Sequence, residues 1–501
     1  MRIDFLTVCF WIVAAFAGRQ LSASPPHEAG EIETERQSFQ TKAGEVIDYE
    51  IGTLFVPENR SDPKSRLIGV GFARFPAAVQ PPEGPPVFRL PGGPGSSYLT
   101  RLKLSNESQL ERTFAELARF RPFCDVVFVD QRGFSERGDV LRATLRSPAR
   151  SPDQPLTLDE RVSVFKAFAR DAVAEFAERE VDLRGYTVKE CAHDVAELRK
   201  ALGYDKIILN GTSFGSQWSF AVMRLHPEIV ARALLSGVEP LDHGYDMPSY
   251  IFAAVQRMWR TIEQDPRFKP YLPEGGMAAA AQVVIERLER KPLRIEVTDP
   301  ASGEKKTHGV FGTADFPWND PTQILELYHG HTARWWWAAV TGRVARDQQI
   351  RLIGPLIDSS LGVTPKRHHR LWTDPATRYL GRGNFAPYLA TADVWPSPDV
   401  GDEFRTPILS EIPVVFAQGD WDTQTPVENT FEIATFFVNS RVIIAERGGH
   451  GVLEPIATQL PKVWAELEEF LRTADMDGLP ARVRVQPSRR FTPPTFPPPS
   501  P

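Results

Sequence analysis

From residue 86 to about 240, short apolar runs of strand length alternate with longer amphipathic stretches, and the same rhythm returns at 414. The runs fall at 87–90, 126–130, 207–210, 233–238, 414–418 and 442–445. Helical patterns lie between and after them, from Thr187 to Leu202, from Ser216 to Leu225, from Val427, and from Ala457 to Thr473. Thr187 with Glu190 forms a capping-box pattern at the first of these. Parallel strands need crossovers long enough to hold a helix, so this alternation requires a mostly parallel sheet covered on both faces. Sites on such sheets gather in the loops at the C-terminal ends of the strands.

Two alternating segments, 46–57 and 67–75, precede the rhythm and flank a turn-rich stretch, and they read as an antiparallel strand pair. Between about 245 and 400 the strand rhythm is lost. That block reads as helices and irregular segments with aromatic clusters such as Trp335-Trp336-Trp337, which suit helix packing or a substrate lining. The boundaries expected are a signal peptide over 1–23, a flexible lead-in over 24–44, core over 45–245, a cap insertion over 246–400, core again over 401–476, and a Pro-rich disordered tail over 477–501.

The signal peptide rests on Arg2, an apolar run over 5–17, and small-residue cleavage patterns at Ala15-Phe16-Ala17 and Leu21-Ser22-Ala23. The chain is therefore expected to be secreted or periplasmic, with no stable membrane insertion after cleavage. No internal apolar run has the length of a membrane-spanning helix. A net charge of −6 leaves no basic excess to neutralise phosphates, so nucleic acid is not an expected partner. Export permits a disulfide between Cys124 and Cys191. However, Cys124 precedes a strand and Cys191 opens a helix antiparallel to it, so the two thiols should lie too far apart to bridge.

The run over 207–210 leads into Gly211-Thr212-Ser213-Phe214-Gly215. A strand, a G-x-S-x-G turn and a helix present a serine at a strained tip, where strand and helix approach closely enough to require small flanking residues. Such a serine needs a base, an orienting acid and an oxyanion hole. Chain order on this architecture is serine, acid, histidine. After 414–418 comes Gly419-Asp420-Trp421-Asp422-Thr423-Gln424-Thr425-Pro426, and after 442–445 comes Gly448-Gly449-His450-Gly451. Ser213, Asp422 and His450 are the expected catalytic set, with Asp420 the competing acid. Oxyanion donors are expected from the Phe214 backbone and from Gly92 and Gly93, in the loop that follows 87–90. This chemistry needs no metal or cofactor.

Pro91-Gly92-Gly93-Pro94-Gly95, Asp130-Gln131-Arg132-Gly133, the Ser213 pentapeptide, Gly419-Asp420-Trp421-Asp422 with Thr425-Pro426, and Gly448-Gly449-His450-Gly451 occur together in that order. With Gly52-Thr53-Leu54-Phe55-Val56-Pro57, they resemble alpha/beta-hydrolase serine peptidases of the proline iminopeptidase and tripeptidyl aminopeptidase-like family, over roughly 45–475. Proline at 91, where histidine is the alternative, is similar to the tripeptidyl branch. The cysteine that branch often carries before a Trp-Pro pair is absent from Ala392-Asp393-Val394-Trp395-Pro396.

The resemblance implies an alpha/beta-hydrolase fold (mostly parallel sheet, helices on both faces) with a mainly helical cap. It also implies a peptide substrate, cut from its free N-terminus through an acyl-enzyme. Holding that ammonium requires an acid. Glu239, just after 233–238, is at the right rim, with Asp242 and Asp246 near it, although a plain loop carboxylate fits the position too. An exported carboxylesterase on the same scaffold and a non-catalytic binding protein are the alternatives.

Overall fold

The computed structural model describes residues 27–103, 106–298, 302–336 and 346–498. The expected signal peptide, Cys9 and Trp337 lie outside these residues. The centre is a ten-stranded sheet in the order β1-β2-β3-β5-β4-β7-β8-β12-β13-β14. The antiparallel part holds β1 (Ile32–Gln40), β2 (Val46–Pro57) and β3 (Leu67–Phe75), with β3 antiparallel to β5 (Val126–Val129). The rest runs parallel: β4 (Val87–Leu90), β7 (Ile207–Thr212), β8 (Val230–Ser236), β12 (Val414–Gly419), β13 (Ser440–Glu446) and β14 (Arg482–Arg484).

The parallel strands are buried on both faces, as their continuous apolar runs require. One core packs helices Leu158–Glu178, Val188–Ala201 and Phe214–Leu225 on one side. The other packs Tyr98–Leu102, Glu107–Ala118 and Pro461–Thr473 on the opposite side. Cys191 belongs to the first core and Cys124 to the second, and both are buried and unpaired. The thiols are unpaired, as expected, but what separates them is the sheet, which puts them on opposite faces.

The capping box at Thr187 is half formed. The Thr187 side chain accepts from the Glu190 N–H, but the Glu190 carboxylate is drawn to Arg60 instead. Arg60 also meets Asp194 and Glu197, and a charged partner outweighs one backbone N–H.

Both ends of the chain correct the sequence reading. The lead-in expected to be flexible contains β1, paired along its length from Ile32↔Leu54 to Gln40↔Val46. The segment reads as a linker because an edge strand is largely exposed and needs few apolar residues. His27 stacks on Phe55 at 3.7 Å and Phe39 on Phe114 at 3.8 Å. The tail expected to be disordered supplies β14 and buries Leu479 and Val485. Beyond it, Phe491 packs on Trp421 and Phe496 on Tyr271. Proline prevents helix here but not extended packing.

The middle block also holds strands the periodicity missed. β9 (Leu293–Thr298) pairs with β10 (Lys305–Phe311). β11 (Arg346–Arg351), polar and largely exposed, pairs with β6 (Arg142–Ser147), a short strand that buries only Ala143 and Leu145. The helices Pro248–Gln264 and Gly276–Arg290 form a separate core there with Trp335, which meets Phe311 edge-on at 4.7 Å. Trp336 is exposed. Among the described residues no helix is long and apolar enough to cross a membrane.

Candidate active site

Ser213 stands between β7 and the helix Phe214–Leu225 with φ 59° and ψ −132°, a conformation a non-glycine residue adopts only under constraint. The glycines explain how the chain holds it. A β-carbon on Gly211 would lie 2.1 Å from the Gly215 carbonyl oxygen, and one on Gly215 would lie 2.1 Å from the Leu90 carbonyl oxygen. Strand, helix and the Pro91 loop touch through their backbones. Ser213 donates its N–H to the Ser236 carbonyl at 3.0 Å, tying the tip to β8.

The loops after β12 and β13 are packed together in the same way. A β-carbon on Gly419 would lie 2.3 Å from the Gly448 carbonyl oxygen, and the Trp421 N–H donates to that oxygen at 2.9 Å. This contact sets His450 Nδ1 at 2.9 Å from Asp422 Oδ2. Asp420, the competing acid, accepts the Arg447 N–H at 2.7 Å and so braces the histidine loop.

Asp422 is fully buried yet well supplied with donors. Oδ1 accepts the N–H groups of Gln424 and Thr425 at 2.9 and 3.1 Å. Oδ2 accepts Gln418 Nε2 at 2.9 Å and Thr425 Oγ1 at 2.7 Å besides the imidazole. Burial works to raise its pKa. The His450 bond and charge, then the Thr425 hydroxyl, reverse that and hold it below its ordinary value.

For His450, burial works to lower the pKa, and the hydrogen bond and charge of Asp422 overcome it and carry it above the ordinary value. Thr425 Oγ1 also lies 3.1 Å from His450 Nδ1. The hydroxyl's one proton is directed at Asp422, so its oxygen is left to accept from Nδ1–H. That assigns the proton to Nδ1 and leaves Nε2 basic.

Ser213 and His450 border one cavity of about 570 Å³. A β-carbon on Gly237 would lie 3.0 Å from His450 Cε1 and 3.1 Å from the Ser213 nitrogen, so both pack on the same glycine. No hydrogen bond joins Ser213 Oγ to the imidazole among the described residues. Catalytic hydrogen bonds of this kind often close only around substrate.

Gly92 backs onto the nucleophile: a β-carbon there would lie 3.1 Å from Ser213 Cβ. Gly93 is next in the same cavity wall. Phe214 opens the helix, where the first N–H groups have no intrahelical acceptor.

The residues after Ser213's neighbour β8 divide. Asp242 accepts the N–H and hydroxyl of Thr364, the N-cap of the helix Pro365–Thr373, at 2.7 and 2.9 Å. Asp246 accepts Asn429 Nδ2 at 2.7 Å. The Glu239 carboxylate makes no hydrogen bond among the described residues, while its N–H donates to Ser216 Oγ. Burial, with the charges of Asp246, Asp358 and Asp422, pushes the Glu239 pKa well above the ordinary value. Burial pushes Asp246 and Asp358 to about 7. Three acids thus share one half-buried region beside the triad acid.

Gln131 and Thr425 stood in the sequence only as motif residues with no role given, and Gln418 and Asp358 were not singled out. Asp358 did carry a signal, as the one acid in the apolar helix Ile353–Leu361. Gln418 ends a buried strand, where a fully buried amide needs partners. The Asp130–Gly133 motif serves the loops around the site. Asp130, raised to about 7 by burial, accepts Ser97 Oγ and the Tyr98 N–H. Arg132 is buried against Asp194, at 2.7 and 2.6 Å.

Residues 85–284 match the family model for the alpha/beta hydrolase fold, and residues 383–479 match that for TAP-like protein. No curated protein matches the chain. Among solved structures, a thermophilic esterase from Thermogutta terrifontis is 16% identical, with 88% of this chain and 100% of that chain covered and a TM-score of 0.33. A bromoperoxidase from Bacillus anthracis is 13% identical, covering 84% and 99%, with a TM-score of 0.35. An esterase from Exiguobacterium antarcticum is 12% identical over 84% and 99%, also at 0.35.

Proposed function

We propose that this alpha/beta hydrolase of TAP-like type is an exported serine aminopeptidase that releases N-terminal residues or short peptides through an acyl-enzyme. The reading rests on one observation: a serine held at φ 59° borders the same cavity as an imidazole whose Nδ1 lies 2.9 Å from a buried carboxylate.

His450 Nε2 takes the Ser213 proton as Oγ attacks the carbonyl carbon. The Oγ–C bond forms, and the oxyanion is met by the N–H groups of Phe214 and the Gly92–Gly93 loop. His450 returns the proton to the leaving nitrogen as the C–N bond breaks. Water, deprotonated by His450, then attacks the ester and releases the acid and Ser213. Asp422 keeps the imidazole in the reactive tautomer and stabilises its cation. Glu239 supplies the acid for the substrate ammonium, and Asp246 and Asp358 add to the negative field there.

The test is a library of short peptides with free N-termini, digested by the mature protein and by its Ser213→Ala variant. Expected is N-terminal cleavage that falls at least about a thousandfold in the variant. Activity near wild type in Ser213→Ala removes the nucleophile. Cleavage of p-nitrophenyl esters but of no peptide replaces the aminopeptidase reading with the esterase one.

A further inference from the structure

The cavity that reaches Ser213 ends in arginine. From Ser213 and Gly92 it extends past Asn210 to a wall of Arg89, Arg101 and Arg119, with Glu116 and Glu454 between them. Two of these cations are neutralised. Arg101 Nη2 meets both oxygens of Glu116 at 3.0 and 3.1 Å, and Arg119 is paired with Glu454 through both terminal nitrogens. The wall therefore carries one positive charge in excess, with Glu116 shared between Arg101, which it meets closely, and Arg89, which it meets at 3.6 Å.

Arg89 is 13% exposed. Its Nε donates to Asn210 Oδ1 at 3.2 Å, its Nη1 is buried without a hydrogen-bond partner, and Glu116 Oε2 stands off at 3.6 Å. The guanidinium lies over the rings of Tyr98, Phe120 and Phe128, 5.2 to 5.5 Å from their centres, which holds it in place. Nη1 is thus closed off toward Glu116, and Nη2 makes no hydrogen bond among the described residues; a guanidinium held in advance on the cavity wall suits a carboxylate.

Distance sets where that carboxylate sits on a substrate. Arg89 is paired with Asn210 across β4 and β7, and Asn210 is three residues before Ser213. At roughly 3.3 Å per extended residue, the backbones of Arg89 and Ser213 are about 10 Å apart along the strands, and both residues border the same cavity. The acids Glu239, Asp246 and Asp358, which an ammonium would ionise, lie elsewhere and do not line this cavity. We propose that the Arg89 cavity is a carboxylate subsite on the leaving-group side, which takes the free C-terminus of a short peptide two or three residues past the cut bond. The substrate class is then a short zwitterionic oligopeptide, its ammonium at the acids and its carboxylate at Arg89. This rests on Ser213 as nucleophile.

The experiment compares matched substrates on one enzyme: short peptides as free acids and as C-terminal amides, and 4-acetoxyphenylpropionate against its primary amide. Wild-type kcat/KM should favour the acid of each pair by about tenfold or more. Arg89→Gln should bring the ratio close to one, and Arg89→Lys should keep part of it. On wild type, 3-phenylpropionate should inhibit competitively and its amide should not, which holds the test open if the variants fold poorly. A wild-type ratio near one, or a ratio unchanged in Arg89→Gln, overturns the subsite. If no peptide is cut while the ester pair shows the ratio and loses it in Arg89→Gln, the subsite stands and the aminopeptidase reading falls.

Discussion

Gln131 donates from Nε2 to the carbonyl of Gly92 at 2.9 Å. The same nitrogen reaches the Pro91 carbonyl at 3.3 Å, and Oε1 accepts the Gly95 N–H at 2.5 Å. One fully buried amide therefore holds both sides of the loop that backs onto Ser213.

The first prediction follows from that clamp. Gln131→Ala strands buried acceptors and lets the loop shift, so oxyanion stabilisation should suffer and ground-state binding should not. We expect kcat to fall about ten- to a hundredfold with KM within about threefold, less than the loss when an oxyanion donor is removed outright. Steady-state kinetics on one good substrate decides it, and an unchanged kcat rejects the role.

pH gives the second. His450 must be neutral to accept the serine proton. Its pKa is raised by the bond and charge of Asp422 and, more weakly, by Asp246. Protonated, inactive enzyme therefore persists above pH 6.5, and kcat/KM for an uncharged ester should rise with a midpoint above that value. Asp246→Asn removes one of the raising charges and should move the midpoint to lower pH. A midpoint unmoved, or moved upward, contradicts the assignment.

Much of this site was legible in the sequence because backbone approach leaves a glycine signature. Gly211, Gly215 and Gly419 sit where strands, helix and loops touch through main chain, and only that residue fits. The serine, histidine and acid could be read from loops after apolar strands. The preference for Asp422 over Asp420 agrees with the His450 bond, although what fixes it is two loops packing side by side. Edge elements were misread for a different reason. β1, β11 and β14 bury little on their own and are held by ladder hydrogen bonds, which any side chain permits. The roles of Gln131 and Gln418 escaped notice because their value is the partners they find, and partners are set by tertiary structure.

Glu239 carries the third prediction. Its carboxyl is raised well above the usual range and Asp246 and Asp358 lie at about 7, so the empty site holds protons near neutrality. An ammonium favours the ionised forms. KM for a free-amine peptide should therefore fall as pH rises through about 7, until the substrate amine deprotonates near 7.7–8.0. An N-acetylated peptide should show no such trend. Glu239→Gln should raise KM about tenfold or more for the free amine and hardly at all for the acetylated form. Equal weakening of both ends the anchor role.

The C-terminal tail carries the last. A stop after residue 477 removes β14, Leu479 and Val485 from the sheet's far core, and Phe491 from Trp421. Burying two such aliphatic side chains is worth roughly 3–6 kcal/mol, and the strand adds its ladder. The truncated protein should unfold at clearly lower urea. A stop after residue 486 keeps β14 and both aliphatic residues but still uncovers Trp421, which immediately precedes Asp422. This second variant should lose less stability. Its kcat should nevertheless fall, because the loop that carries the triad acid has lost the ring packed against it. Paired urea titrations and kinetics on the two truncations separate the contributions. If neither differs from the full chain, the tail is a passive extension.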